Sequence, residues 1–208
     1  MQNSAIKSAV ITLLLSLFAA ASVFAAPDKG TVALLAKVQK AVGANKELSK
    51  GTMTLTIKSL LPMATNAVFI KTTKAQNAKK VPLDTIKDID QKWIKAESEL
   101  PIQKEVRENE CAKEVIKQVK AVERIVEAFV MDDQGAVVCE NNLTSDYWQG
   151  DEEKWTNSYN GGKGGLDVSK VKFDKSANKN LQQISIPVID KGGKVIGAIT
   201  FGVDVTGL

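Results

Sequence analysis

No histidine occurs anywhere in the 208 residues. That absence removes Ser-His-Asp and Cys-His catalysis, the zinc motifs built on His and the commonest general base near neutral pH. An enzyme with this composition would work with carboxylates, Lys or a thiol alone. Cysteine is almost as scarce: Cys111 and Cys139 are the only two. Without His they cannot complete a structural zinc site, and their spacing excludes a CxxC redox site. A disulfide and a pair of buried thiols both remain open, and an oxidising compartment favours the disulfide. Arginine is limited to Arg107 and Arg124. No glycine-rich loop follows a strand; Gly161, Gly162, Gly164 and Gly165 come after a helical segment and read as a flexible turn, not a phosphate cradle. The 28 basic residues exceed the 24 acidic ones without forming a run, so neither nucleic acid nor an anionic membrane is indicated as a partner. No repeat or low-complexity tract is present, and no cofactor motif.

The chain begins with an address. Lys7 supplies a positive n-region, residues 9–21 form an apolar run, and Val23-Phe24-Ala25 ends it in a small-x-small pattern. Residues 1–25 are therefore expected to be a signal peptide cleaved after Ala25, and the mature protein to be exported, to the periplasm in a bacterium with two membranes. An uncleaved anchor is the alternative, at the short limit for a bilayer span.

Residues 26–100 read as a helical extension. Val32, Leu35, Val38 and Val42 recur at helical spacing, with Gly43 placed to end that helix. The stretch 52–57 is compatible with a strand or a turn of helix. A helix is expected over 66–78, and another opens at Pro82 and carries Ile86, Ile89 and Trp93 as its stripe. From Pro101 the pattern tightens. Residues 106–122 predict one long helix whose face carries Cys111, Val115, Val119 and Val122. The period then changes to two: strands over 125–131 and 136–140 flank a turn at Asp132-Asp133-Gln134-Gly135, and three more are expected over 166–173, 181–189 and 194–205. A bridge from Cys111 on the helix to Cys139 on a strand is geometrically sensible.

Between the second and third strands, Tyr147, Trp148, Trp155 and Tyr159 crowd into thirteen positions. With Ser145 as N-cap, a helix there would put Trp148, Asp151, Glu152, Trp155 and Tyr159 on one face. Aromatic planes beside carboxylates fit a half-wet pocket wall, and equally a lid helix over an ordinary core. In the last strand Val195, Ile199, Phe201, Val203 and Val205 point one way, and Ala198, Thr200, Gly202 and Asp204 the other. In the strand before it, Gln183, Ser185 and Pro187 occupy the side opposite Ile184, Ile186 and Val188. One sheet face is thus large and apolar, suited to the long helix, and the other small and polar. The latter faces water by default, unless the indoles lie over it and enclose a chamber floored by Gln183, Ser185 and Thr200.

The order long helix, two strands, helical crossover, three antiparallel strands, with FVMDDQGAVV, SDYWQGDEEKW and GGKVIGAITFGVDV in those places, resembles a single Cache domain, the PAS-like extracytoplasmic sensor module of chemoreceptors and sensor kinases. The resemblance covers residues 101–208. It implies an α+β fold with a five-stranded antiparallel sheet and a long N-terminal helix packed on one face. It also implies binding of a small metabolite (amine, amino acid, nucleobase or carboxylate) between sheet and crossover. Tyr147, Trp148 and Trp155 would stack on the ligand, Asp151, Gln183, Ser185 and Thr200 would read its polar groups, and Asp204 would gate, unless it is a solvated strand end. Amino-acid-binding members clamp the carboxylate with Arg, yet both arginines here precede the crossover, and Asp151 and Glu152 beside the rings favour a cationic or neutral ligand equally. The sequence stops three residues after the last strand, so the expectation is a sensor that hands its signal to a membrane receptor or kinase. The alternative is a scaffold that binds no ligand and docks through its N-terminal helices. An enzyme would need converging carboxylates at Asp151 or Glu152.

Overall fold

The computed structural model describes residues 28–174 and 179–208; the expected leader and its cleavage site lie outside the described residues. Helix α1 (Lys29–Ala44) is started by Asp28, whose carboxylate accepts from the Thr31 backbone N–H at 2.7 Å. Helix α2 (Lys50–Leu55), capped by Ser49, continues through a π turn (Thr56–Leu60) and a 3-10 turn (Leu61–Thr65). The ambiguous 52–57 stretch is therefore helical. Its hydroxyls are absorbed within the turn, with Thr56 donating to the Thr52 carbonyl at 2.8 Å. Asn66 caps α3 (Ala67–Ala78), and α4 (Leu83–Ile94) follows Pro82. No single described helix is long and apolar enough to cross a membrane.

The single long helix expected over 106–122 is two helices, α5 (Pro101–Glu108) and α6 (Glu110–Ala121). Asn109 makes the break. Its side-chain oxygen accepts from Ala112 N at 2.9 Å, capping α6, while its amide donates to the Val138 carbonyl at 2.9 Å. One side chain thus starts a helix and ties it to the sheet, which a continuous helix would forgo.

The sheet comprises β1 (Ile125–Met131), β2 (Val137–Glu140), β3 (Asp167–Val168), β4 (Lys172–Asp174), β5 (Lys179–Ile189) and β6 (Val195–Asp204). All pairs are antiparallel in the order β2-β1-β6-β5-β3, with β4 also on β5. These are the five expected positions, the third strand being broken at Ser169, which exchanges bonds with Gln183 through its N–H and its hydroxyl, both at 2.9 Å. Helix α7 (Glu153–Tyr159) lies in the crossover. The glycines after it close the helix: Asn160 adopts a left-handed conformation, Gly161, Gly162 and Gly164 have positive φ, and Lys37 of α1 donates to the Lys163 and Gly164 carbonyls.

The large apolar face buries Ile184, Ile186, Val188, Ile199, Phe201 and Val203 in one cluster with Cys111, Ala112 and Val115 of α6. Val38, Val42, Leu60, Phe69 and Ile70 from the N-terminal helices belong to the same cluster. The long helix was expected on this face; α6 reaches β1 and β2, and the N-terminal helices complete the cover over β5. Val195 departs from its expected side. The register slips between Val188 and Ile189, so Ile196 enters the large cluster, while Val195 faces the Gly164 turn. Cys111 and Cys139 are disulfide-bonded, with Cα atoms 5.7 Å apart, joining α6 to β2.

Candidate functional site

Strand pairing sorts the small polar face into rows of side chains on one side of the sheet. One row runs Asp167, Ser185, Thr200, Phe129, Glu140; a second runs Pro187, Ala198, Met131, Val137; a third runs Gln183, Gly202, Glu127; a fourth pairs Leu181 with Asp204. The first two rows are roofed. Trp155 packs on Phe129, Met131 and Ala198, stacks on Tyr159 with ring centres 4.9 Å apart, and donates its indole N–H to the Asp132 carbonyl at 3.0 Å. Ser185 and Thr200 are wholly buried and hydrogen-bonded to each other at 2.8 Å. The expected chamber beneath the indole is closed, because Phe129 and Met131 of β1 stand in those two rows and pack against Trp155 where the last two strands are small.

Trp148 is not on the Trp155 helix. Instead of a helix from Ser145, residues 147–149 run alongside the β2 edge: Ala136 bridges Trp148, Val137 N donates to Tyr147 O, and Gln149 N donates to Gly135 O. The aromatic pattern fitted a helical face, but an edge beside β2 with free backbone groups won the segment. Tyr147 and Trp148 consequently join Ile86, Trp93 and Val137 in a separate apolar cluster, Tyr147 lying 5.5 Å from Trp93. Lys87 sits 4.5 Å over the Trp148 ring. Gly150 is required here, since a Cβ would strike the Trp148 indole. Asp90 of α4 holds the segment, its buried carboxylate accepting from Tyr147 N at 2.8 Å and Trp148 N at 3.0 Å. Replacing Asp90 by Ala strands both donors, so Asp90→Ala is expected to cost about 2 to 3 kcal/mol, measurable as a lower urea midpoint. An unchanged midpoint would show that water reaches those amides.

The third row is open. A cleft of about 240 Å³ is lined by Glu127, Gln183, Gly202, Leu181, Ser169, Lys172 and Phe173. Ser169, Lys172 and Gln183 also line an adjoining groove of about 660 Å³, whose wall includes Asp151, Glu152, Glu153, Lys154, Asp167 and Lys170. Gly202 admits the Glu127 side chain, which lies across it where a Cβ would collide. Gln183 then fixes the carboxylate, its amide donating to Glu127 Oε1 at 3.1 Å. Of the residues expected to bind, Gln183 lies in the cleft, Asp151 on the groove wall, and Trp155, Ser185 and Thr200 in the sealed rows beside it. Asp204 stands one row beyond Gly202, bridged to Lys179 at 3.2 Å. The Thr206 and Lys179 hydrogen bonds hold its carboxyl below the usual range.

Glu127 and Gly202 escaped the list of expected site residues, although a signal for Glu127 was present: it is the one charge within the IVEAFVM strand. Glu140 is the other unexpected group. It is fully buried at the end of the sealed row, Oε2 accepts from Thr144 N at 3.0 Å, and Oε1 has no protein partner among the described residues. Burial pushes its carboxyl up to about 7, and the Glu127 charge adds to this while Thr144 and Arg107 oppose it. Asp132, buried in the hairpin turn, is pushed up to about 6, chiefly by burial.

No protein-family model matches the chain, and no curated protein sequence does. Solved structures that the chain matches are sensor or ligand-binding domains. The sensor domain of the Vibrio cholerae histidine kinase DctB matches at 13% identity over 85% of this chain and 58% of that one, with a TM-score of 0.43. The ligand-binding domain of the Pseudomonas aeruginosa amino-acid chemoreceptor PctC, in complex with GABA, matches at 9% over 66% and 58%, TM-score 0.37. The sensory domain of the Campylobacter jejuni chemoreceptor Tlp3, with isoleucine bound, matches at 14% over 76% and 64%, TM-score 0.34. The chain spans about three-fifths of the length of these domains.

Proposed function

We propose that this chain is an exported sensory protein whose Cache-like unit takes a small polar metabolite into the cleft at the Gln183–Gly202–Glu127 row. The observation that carries the reading is that this row of the small face lines a cleft of about 240 Å³ with fixed polar groups: Glu127 lies across the side-chain-free Gly202 and is held there by the Gln183 amide. Trp155, Ser185 and Thr200 belong to the packed rows beside the cleft, and Asp151 to the outer groove. Ser169 and Lys172 sit on the short β3–β4 ribbon, the part of the wall with least sheet behind it, so closure on a ligand would draw that ribbon toward β5. Asp204, one row on, connects β6 to the terminal turn through Thr206 and would carry the movement to a membrane partner.

A thermal-shift screen of amines, amino acids, nucleobases and carboxylates tests this. A ligand at 100 times its dissociation constant stabilises by about 2.7 kcal/mol. Gly202→Val, which displaces Glu127 into the cleft, is expected to abolish the shift while the far-ultraviolet circular dichroism stays that of the parent. A ligand that stabilises both proteins equally binds elsewhere, and a panel without a hit removes the reading.

A further inference from the structure

We infer that the ligand of this cleft carries a positively charged amine and that Glu127 is its counter-ion; the inference rests on the cleft being the binding site. Four observations converge. Glu127 is half-buried on the cleft floor, and its position is specified twice, by the side-chain-free Gly202 beneath it and by the Gln183 amide on Oε1. Its second oxygen, Oε2, has no protein hydrogen-bond donor among the described residues, and no described Lys or Arg pairs with it. The nearby cations are otherwise engaged or peripheral: Lys154 is bridged to Glu152 at 3.0 Å and lies over the Phe129 ring, while Lys172 and Lys170 are exposed on the rim. Finally, the lining of cleft and groove together holds Glu47, Glu127, Asp151, Glu152, Glu153 and Asp167 against three lysines, an acidic balance inside a chain of net charge +4.

A carboxylate held in place on the cleft floor with one oxygen free of protein donors is a ready acceptor for a cationic donor. An ammonium group entering the cleft would donate to Oε2 and pair with the carboxylate charge. A carboxylate or phosphate ligand would instead meet the Glu127 charge at close range, with no described arginine in the lining to relieve it.

Isothermal titration of the full chain at pH 7.5 with matched amine, alcohol and carboxylate on the same aliphatic and aromatic skeletons decides the matter. The amines alone are expected to bind, more weakly as salt rises. Glu127→Gln keeps the bond from Gln183 but removes the charge, and is expected to lower amine affinity about 10- to 100-fold. Glu127→Asp, which retains the charge, is expected to lie between the two. Alcohols or carboxylates binding as well as amines, in a manner abolished by Gly202→Val, would overturn the amine assignment and leave the cleft as the site. Amine binding unaffected by both Glu127→Gln and Gly202→Val would overturn the cleft itself.

Discussion

Acidifying the protein from pH 8 to pH 5 is expected to raise its folding stability, by an amount on the order of 4 kcal/mol. With no histidine in the chain the response belongs chiefly to two buried acids, and Asp133, also held above its ordinary value by burial, adds in the same direction. Glu140 is pushed up to about 7 and Asp132 to about 6, each chiefly by burial. Glu140 is faced by Glu127, which disfavours its ionisation, and by Arg107 and Thr144, which favour it. Asp132 is faced by the Asp133 charge and by the backbone N–H groups of Gln134, Gly135 and Ala136. Both folded values lie above the unfolded ones near 4, so the stabilisation is fully present below pH 4 and is lost as pH rises through 6 and 7. Asp190 and Asp204 behave oppositely, their carboxyls being held low, and their contribution is lost only as pH falls below about 4. The maximum should therefore lie near pH 5. Urea unfolding at pH 5, 6, 7 and 8 reads the slope, and Glu140→Gln is expected to raise stability at pH 8 and flatten the upper half of the profile. A stability maximum at pH 7 to 8 would mean that water reaches Glu140 Oε1 and keeps the carboxylate ionised.

Much of the fold was legible because it rests on periodicity. Alternation in residues 181–189 and 194–205 identified both strands and, apart from Val195, both faces, and the shift from period 3.6 to 2 after Val122 located the hairpin. The failures have local causes. Asn109 carried the usual composition of a helix surface, and only the carbonyl of Val138, 29 residues away, makes it a cap. The slip at Ile189 swaps Val195 for Ile196, which alternation by itself cannot report.

The candidate site was legible in part. The small face followed from Ser185, Thr200 and Gly202, but whether such a face is hollow depends on the neighbouring strand. Phe129 and Met131 of β1 fill the first two rows, whereas Glu127, two residues earlier on the same side, leaves the third open. The aromatic cluster misled because helical spacing was read through a segment that bonds to β2; Asp90, from a helix more than fifty residues upstream, completes that arrangement. Long-range hydrogen bonds of this kind leave no local pattern.

Removing the Cys111–Cys139 bridge by the double substitution Cys111→Ala and Cys139→Ala is expected to destabilise the protein by about 3.5 kcal/mol, the loop-closure entropy of a 28-residue separation. At a urea m-value of about 2 kcal/mol per molar, that moves the midpoint down by roughly 1.7 M. The closed loop contains most of α6, all of β1 and the hairpin turn, so the reduced chain must find the β1–β2 register without a tether. Both sulfurs are fully buried, so reductant should act only through unfolding, and the native protein should resist it until urea approaches the transition. The effect is separable from packing: Cys139→Ala alone leaves a buried thiol at Cys111 with its neighbours in place, and should fall within about 1 kcal/mol of the double variant. A double variant as stable as the parent would mean that the unfolded chain already holds α6 against the hairpin, and that Asn109, bonded to Val138 one residue before Cys139, is the tether that matters.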